Sequence, residues 1–77
     1  MSKTSRLKAP QQPFIKLRRL LLSYELNAPR LAAVLGCSVP TARHRINDPG
    51  SLTMAELSKI NRFGHVPIEE IRDAVLP

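Results

Sequence analysis

Apolar residues recur at helical spacing in five successive stretches, separated by proline, glycine and capping side chains. The chain therefore predicts an all-α fold, a compact bundle of about five short helices. Pro13, with Gln12 just before it, fits the first turn of the first helix, where a missing N–H costs nothing. Phe14, Leu17, Leu20, Leu21 and Tyr24 form that helix's apolar stripe, and the helix is expected to run to Glu25. Leu22 lies off the stripe, either exposed or set against a partner. Lys16, Arg18 and Arg19 decorate the other side, as a phosphate-facing row or as a solvated face. Leu26 and Asn27 begin the second helix, with Asn27 as N-cap and Leu26 packing on Leu31. After a third helix, Asn47-Asp48-Pro49-Gly50 signals a turn.

Thr53 and Glu56 have the spacing of a capping box, and Leu52 can staple onto Leu57, so a fourth helix starts there. Leu57, Ile60 and Phe63, with Met54 behind them, are expected to be its buried face, and Gly64 closes it. A fifth helix opens at Pro67 with Glu69 and Glu70 in the first turn, where carboxylates suit the helix dipole. Ile68, Ile71 and Val75 share one of its faces.

The stretch from Ala28 to Asn47 organises the rest. Leu31, Val34 and Leu35 give its first helix one side to bury, while Ala32 and Ala33 let another helix approach closely. Gly36 can take a positive φ without a Cβ clash, which ends the helix and turns the chain. Ser38 then offers an oxygen to the free amides of the next helix, and Pro40 is tolerated in its first turn. Two helices separated by about three residues around a glycine cross at a wide angle, the layout of a helix-turn-helix. On the second of them, about 100° per residue puts Val39, Ala42 and Ile46 on one side and Pro40, Thr41, Arg43, His44 and Asn47 on the other. Arg45 falls at the border, its stem on the core and its guanidinium free for a phosphate. The outward face is donor-rich and basic, as a helix entering the major groove must be. Arg30 sits near a helix N-terminus, an unfavourable place for a lone cation, which a phosphate or a reach into water would relieve.

The 77 residues leave room for one domain and a modest core. Residues 1 to 12 carry Lys3, Arg6 and Lys8 among polar residues and too little apolar surface to fold, so they are expected to be a flexible basic arm ahead of a domain spanning 13–77. That arm is either a tail that follows phosphates or a solvated terminus. The net charge of +6 is uneven. Residues 1 to 45 hold nine Lys or Arg against Glu25 alone, +8, and residues 46 to 77 hold three against five acids, −2. One surface for a polyanion is the expectation.

Cys37 stands alone, which excludes an internal disulfide, makes no metal-site spacing with His44 or His65, and fits a small buried residue in the turn. A membrane-length apolar run and a signal-peptide core are both missing from the sequence, so a cytoplasmic protein is expected, with no metal, cofactor or small-molecule ligand.

The chain resembles the small repressor domains of the lambda-repressor and Cro type, the Xre family, from about Phe14 onward. Leu31-Ala32 and Leu35-Gly36-Cys37-Ser38 occupy the slots of the family's Leu-Ala and Leu-Gly-apolar-Ser, and Pro49-Gly50-Ser51-Leu52-Thr53 with Leu57 and Ile60 resembles its loop and fourth helix. Two positions depart. Ala28 stands where many members have a phosphate-contacting Gln, and Arg45 where many have an apolar core residue, a role Ile46 is expected to assume. The resemblance implies a phage or bacterial transcription regulator without enzymatic chemistry, binding a two-fold symmetric operator in double-stranded DNA as a homodimer.

Arg43, His44, Asn47 and Thr41 would read bases. Ser38, Arg30, Arg45, Lys3, Arg6 and Lys8 would hold phosphates. Ile71, Ala74, Val75 and Leu76 of the last helix are expected at the dimer interface. From another class comes a second expectation, a helix-turn-helix adaptor or antagonist that grips another regulator, since Val39 and Pro40 supply no hydrogen bonds to bases. Six scattered carboxylates, with no Ser-His or Cys-His constellation and no glycine-rich phosphate loop, argue against an enzyme.

Overall fold

The computed structural model describes residues 14–76, so the basic arm with Lys3, Arg6 and Lys8, and Pro13, lie outside the described residues. Five α-helices follow one another: α1 (Ile15–Ser23), α2 (Ala28–Leu35), α3 (Val39–Asn47), α4 (Met54–Phe63) and α5 (Ile68–Val75). A single 3-10 turn, Pro49–Ser51, joins α3 to α4, and the described residues contain no strand. No helix among them is long and apolar enough to cross a membrane.

Three helix starts follow from local side-chain chemistry. Asn27 Oδ1 accepts from the Arg30 amide at 3.1 Å, and Ser38 Oγ from the Thr41 amide at 3.2 Å. Thr53 and Glu56 close the full capping box: each side chain accepts from the other's backbone amide at 3.0 Å.

The helix ends diverge from expectation. Gly36 does take the left-handed conformation (φ 74°) and returns its amide to the Ala32 carbonyl at 2.8 Å. But α1 stops at Ser23, two residues short of Glu25, because Glu25 itself adopts φ 60°. The Glu25 amide then reaches the Leu22 carbonyl and the Leu26 amide the Leu21 carbonyl, both at 2.9 Å, a Schellman closure built on a non-glycine residue. In α4 the left-handed residue is His65 (φ 59°), one past Gly64, whose own φ is ordinary. Gly64 is required there for room, since a Cβ would stand 2.7 Å from the Ile60 carbonyl oxygen.

Leu21, Leu26, Leu31, Leu35, Ile46, Ile60, Val66 and Ile71 meet in one core, with Ala28, Ala32 and Ala42 where helices approach most closely. The staple Leu26–Leu31 is realised, both being buried, and Ile46 packs as expected. α3 packs chiefly on α2, α1 on α5, and α4 on α2. Lys59 of α4 donates to the Leu35 carbonyl at 3.2 Å, placing a cation on the free C-terminal carbonyls of α2.

Several expected core positions are not core. Phe14 precedes α1 in a left-handed conformation (φ 64°) and is half exposed, its ring lying against Gly50. Met54 is 82% and Phe63 58% exposed, and Arg62 sits over the Phe63 ring at 5.6 Å. Only Ile60 of the expected α4 face is fully buried, while Leu57 is partly buried against the core and Met54 and Phe63, the first and last residues of α4, stay exposed. In α5 the buried pair is Ile71 and Ala74, while Ile68 stands half exposed. Cys37 is half buried against the core.

Candidate nucleic-acid interface

α2 and α3 are joined by three non-helical residues, Gly36 to Ser38, and α3 rests on α2 through Ala42 and Ile46. Those two side chains fix the rotation of α3. With successive residues about 100° apart, the opposite arc carries Pro40, Arg43, His44 and Asn47, and all four are exposed. Among the described residues no hydrogen bond or ion pair engages the side chains of Arg43, His44 or Asn47. Three donor-bearing groups thus project together from one packed helix.

Val39 is a correction. The wheel assigns it to the buried side beside Ile46, yet it is 36% exposed, because it is the first residue of α3, beyond the part that Ala42 and Ile46 press onto the core.

The other expected contacts divide. Thr41 is half buried, and its Oγ1 accepts from Ser38 Oγ at 2.9 Å. Ser38 is therefore both cap and donor, and its hydroxyl reaches a phosphate only by giving up the Thr41 bond. Arg30 is exposed and pairs with Glu25 at 3.5 Å, which eases the cation's conflict with the α2 N-terminus. Both side chains are well exposed, so this pair is weak.

The Arg45 guanidinium is engaged within the chain. Its Nε lies 3.2 Å from Glu56 Oε1 and its guanidinium donates to Ser51 Oγ at 3.4 Å, with 22% and 17% of the Arg45 and Glu56 side chains exposed. Glu56 serves two masters, the cap of α4 and this arginine. Burial pushes its pKa up, but the bonds from Thr53 and Arg45 together with the Arg45 charge outweigh burial, and the net direction is down. Arg45 thus ties α3 to α4, and its guanidinium reaches a phosphate only by giving up these partners. The sequence offered a signal, a Glu eleven residues on, but only the fold brings the two together.

Ile71 and Ala74, expected at a dimer interface, are buried within the chain at 3% and 8% exposure, held against the core and α1. Leu76 stays half exposed and Val75 half buried. A different apolar surface is open: a trough of about 290 Å³ between α4 and α5, floored by Leu57, Ile71 and Val75 and rimmed by Met54, Ile68 and Arg72. Across α5, Tyr24 Oη donates to Glu70 Oε1 at 2.8 Å, tying α1 to α5. That bond first, then burial and the Glu70 charge, raises the Tyr24 pKa. Among the described residues no group of three His, Cys, Asp or Glu side chains gathers as metal ligands.

Comparison with known proteins returns no family model, no curated protein and no solved structure that matches this chain.

Proposed function

We propose that this protein is a sequence-specific DNA-binding transcription regulator that reads the major groove with α3. The observation that carries the reading is the set of exposed donors Arg43, His44 and Asn47, unengaged among the described residues, opposite the buried Ala42 and Ile46. Arg43 is the group for a two-pronged contact with guanine O6 and N7, and His44 and Asn47 for neighbouring base edges. Thr41 contributes at the flank once its hydroxyl turns outward. Arg30 and the arm residues Lys3, Arg6 and Lys8 supply phosphate contacts, in keeping with the +8 charge of residues 1 to 45. One short helix reads only a few base pairs, so the functional unit on DNA is a homodimer on a two-fold site in the cytoplasm of a prokaryotic cell. The likeness to Xre-type repressor domains in Leu35-Gly36-Cys37-Ser38 supports the same reading.

The test is selection of bound duplexes from a random pool. A two-fold symmetric consensus is expected. On that consensus, Arg43→Ala should weaken binding by about 1–3 kcal/mol and flatten discrimination at one base position, while Lys8→Ala should weaken all sequences alike and reduce the salt slope. Unchanged affinity of Arg43→Ala would remove the readout assignment.

The α4/α5 trough favours a second reading, an adaptor that grips another regulator. Retention on duplex DNA separates the two, since a DNA reader loses affinity log-linearly as salt rises.

A further inference from the structure

We infer that Glu56 limits how strongly this protein holds DNA, by keeping the Arg45 guanidinium off the phosphates. This inference rests on the DNA-reading function proposed above and concerns a contact that function leaves out. Arg45 follows His44 directly and stands one turn beyond Thr41, so it borders the exposed arc of α3, where a free cation would meet the DNA backbone. A phosphate contact there strengthens binding to every duplex alike. Glu56 touches no DNA group itself and acts through Arg45, a positioning role.

The acceptors that hold Arg45 are fixed by bonds of their own. The Glu56 carboxylate is anchored by the Thr53 amide at 3.0 Å, and the Ser51 hydroxyl by its donation to the Asp48 carbonyl at 2.6 Å. Arg45 Nε then meets both carboxylate oxygens, at 3.2 and 3.3 Å, and Nη1 meets Ser51 Oγ at 3.4 Å. The chain contains a contrast that shows what this does. Arg30 and Glu25 pair at 3.5 Å in the open, where salt screens the pair and the cation leaves for a phosphate at little cost. Arg45 and Glu56 are mostly covered, so screening is weaker and departure of the guanidinium would strand a carboxylate in a partly buried place. Of these two paired arginines, Arg30 is available to DNA and Arg45 is withheld.

Glu56→Gln isolates the charge, because glutamine can still complete the capping box with Thr53 but no longer neutralises Arg45. The measurement is affinity for the selected consensus and for a scrambled duplex of equal length, as a function of salt. In Glu56→Gln both duplexes should bind more tightly at low salt, with a log-log salt slope steeper by about 0.9, one further phosphate contact. Between about 50 and 200 mM salt its affinity should therefore fall about threefold more than the parent's. Discrimination at the Arg43 guanine should stay as in the parent. A purely structural role for Glu56 predicts the opposite pattern, weaker binding and blurred discrimination from a loosened α3, with no steeper slope. The neutral pair Arg45→Met/Glu56→Gln should return the slope to the parent value, and circular dichroism checks that both variants keep their helices.

An unchanged slope or weaker binding in Glu56→Gln overturns the inference and leaves base reading by α3 standing. So does a neutral pair whose slope is shallower than the parent's by about 0.9, since Arg45 would then already touch a phosphate. A pool that yields no consensus removes base reading instead, and the slopes on a random duplex still decide the place of Arg45. Failure to bind any duplex at low salt overturns both.

Discussion

Replacing Glu56 with alanine tests the tie between α3 and α4. The substitution removes two things at once. The Thr53 amide loses its side-chain acceptor at 3.0 Å, half of the capping box, which costs about 0.5–1 kcal/mol. Arg45 is left without its carboxylate. Stranding a fully buried charge costs about 3–5 kcal/mol, and an exposed pair is worth under about 1. With roughly a fifth of each side chain exposed, Arg45 and Glu56 lie between these limits, and about 1–2 kcal/mol is expected.

The total, about 1.5–3 kcal/mol, corresponds to a fall in Tm of about 6–24 °C for a domain of this size. Urea and thermal unfolding followed by circular dichroism measure both figures. A double-mutant cycle with Arg45→Met isolates the pair and should show about 1–2 kcal/mol of coupling. Because the folded-state pKa of Glu56 is depressed from its ordinary 4.5, the stabilisation is fully present above pH 4.5. It is lost as pH falls through the lowered folded value. The acid limb should therefore be shallower in Glu56→Gln. A loss below 1 kcal/mol in Glu56→Ala, or a cycle with no coupling, would refute the reasoning and return Arg45 to the free cations.

Three further outcomes are expected. Gly36→Ala should cost about 1–2 kcal/mol in urea unfolding from the left-handed backbone alone, because a Cβ there meets nothing within 4 Å, and Gly36→Asn should recover part of it. Ile60→Ala should cost about 2–5 kcal/mol, whereas Met54→Ala and Phe63→Ala should each cost under about 1; a large loss at Phe63 would contradict its exposed placement. Tyr24 is the single tyrosine and there is no tryptophan, so its phenolate absorbance reports one group. It should ionise above 10 in the parent and shift downward in Glu70→Gln, and identical titrations would show that the 2.8 Å bond does not persist in solution.

The starts of the helices were legible in the chain because a cap is local chemistry. Asn27, Ser38 and Thr53 each bond an amide three residues on, and no other part of the molecule is needed to complete the bond. The same holds for the turn at Gly36 and for the outward set Arg43, His44 and Asn47, which follows once Ala42 and Ile46 are recognised as the apolar side. What required the tertiary structure is everything that depends on which surface covers which. Periodicity places Val39 with Ile46 and Phe63 with Ile60, but burial needs a facing neighbour, and the first residue of α3 and the last of α4 stay exposed. Only packing turns Ile71 and Ala74 inward, and only packing sets Arg45 beside Glu56 and Lys59 on the last carbonyl of α2. Glu25 and His65 hold left-handed backbones that their side chains do not favour, because the closures they form seat Leu26 and Val66 in the core. Local bonds write the order of the helices, and shared burial decides which of their faces are left to meet another molecule.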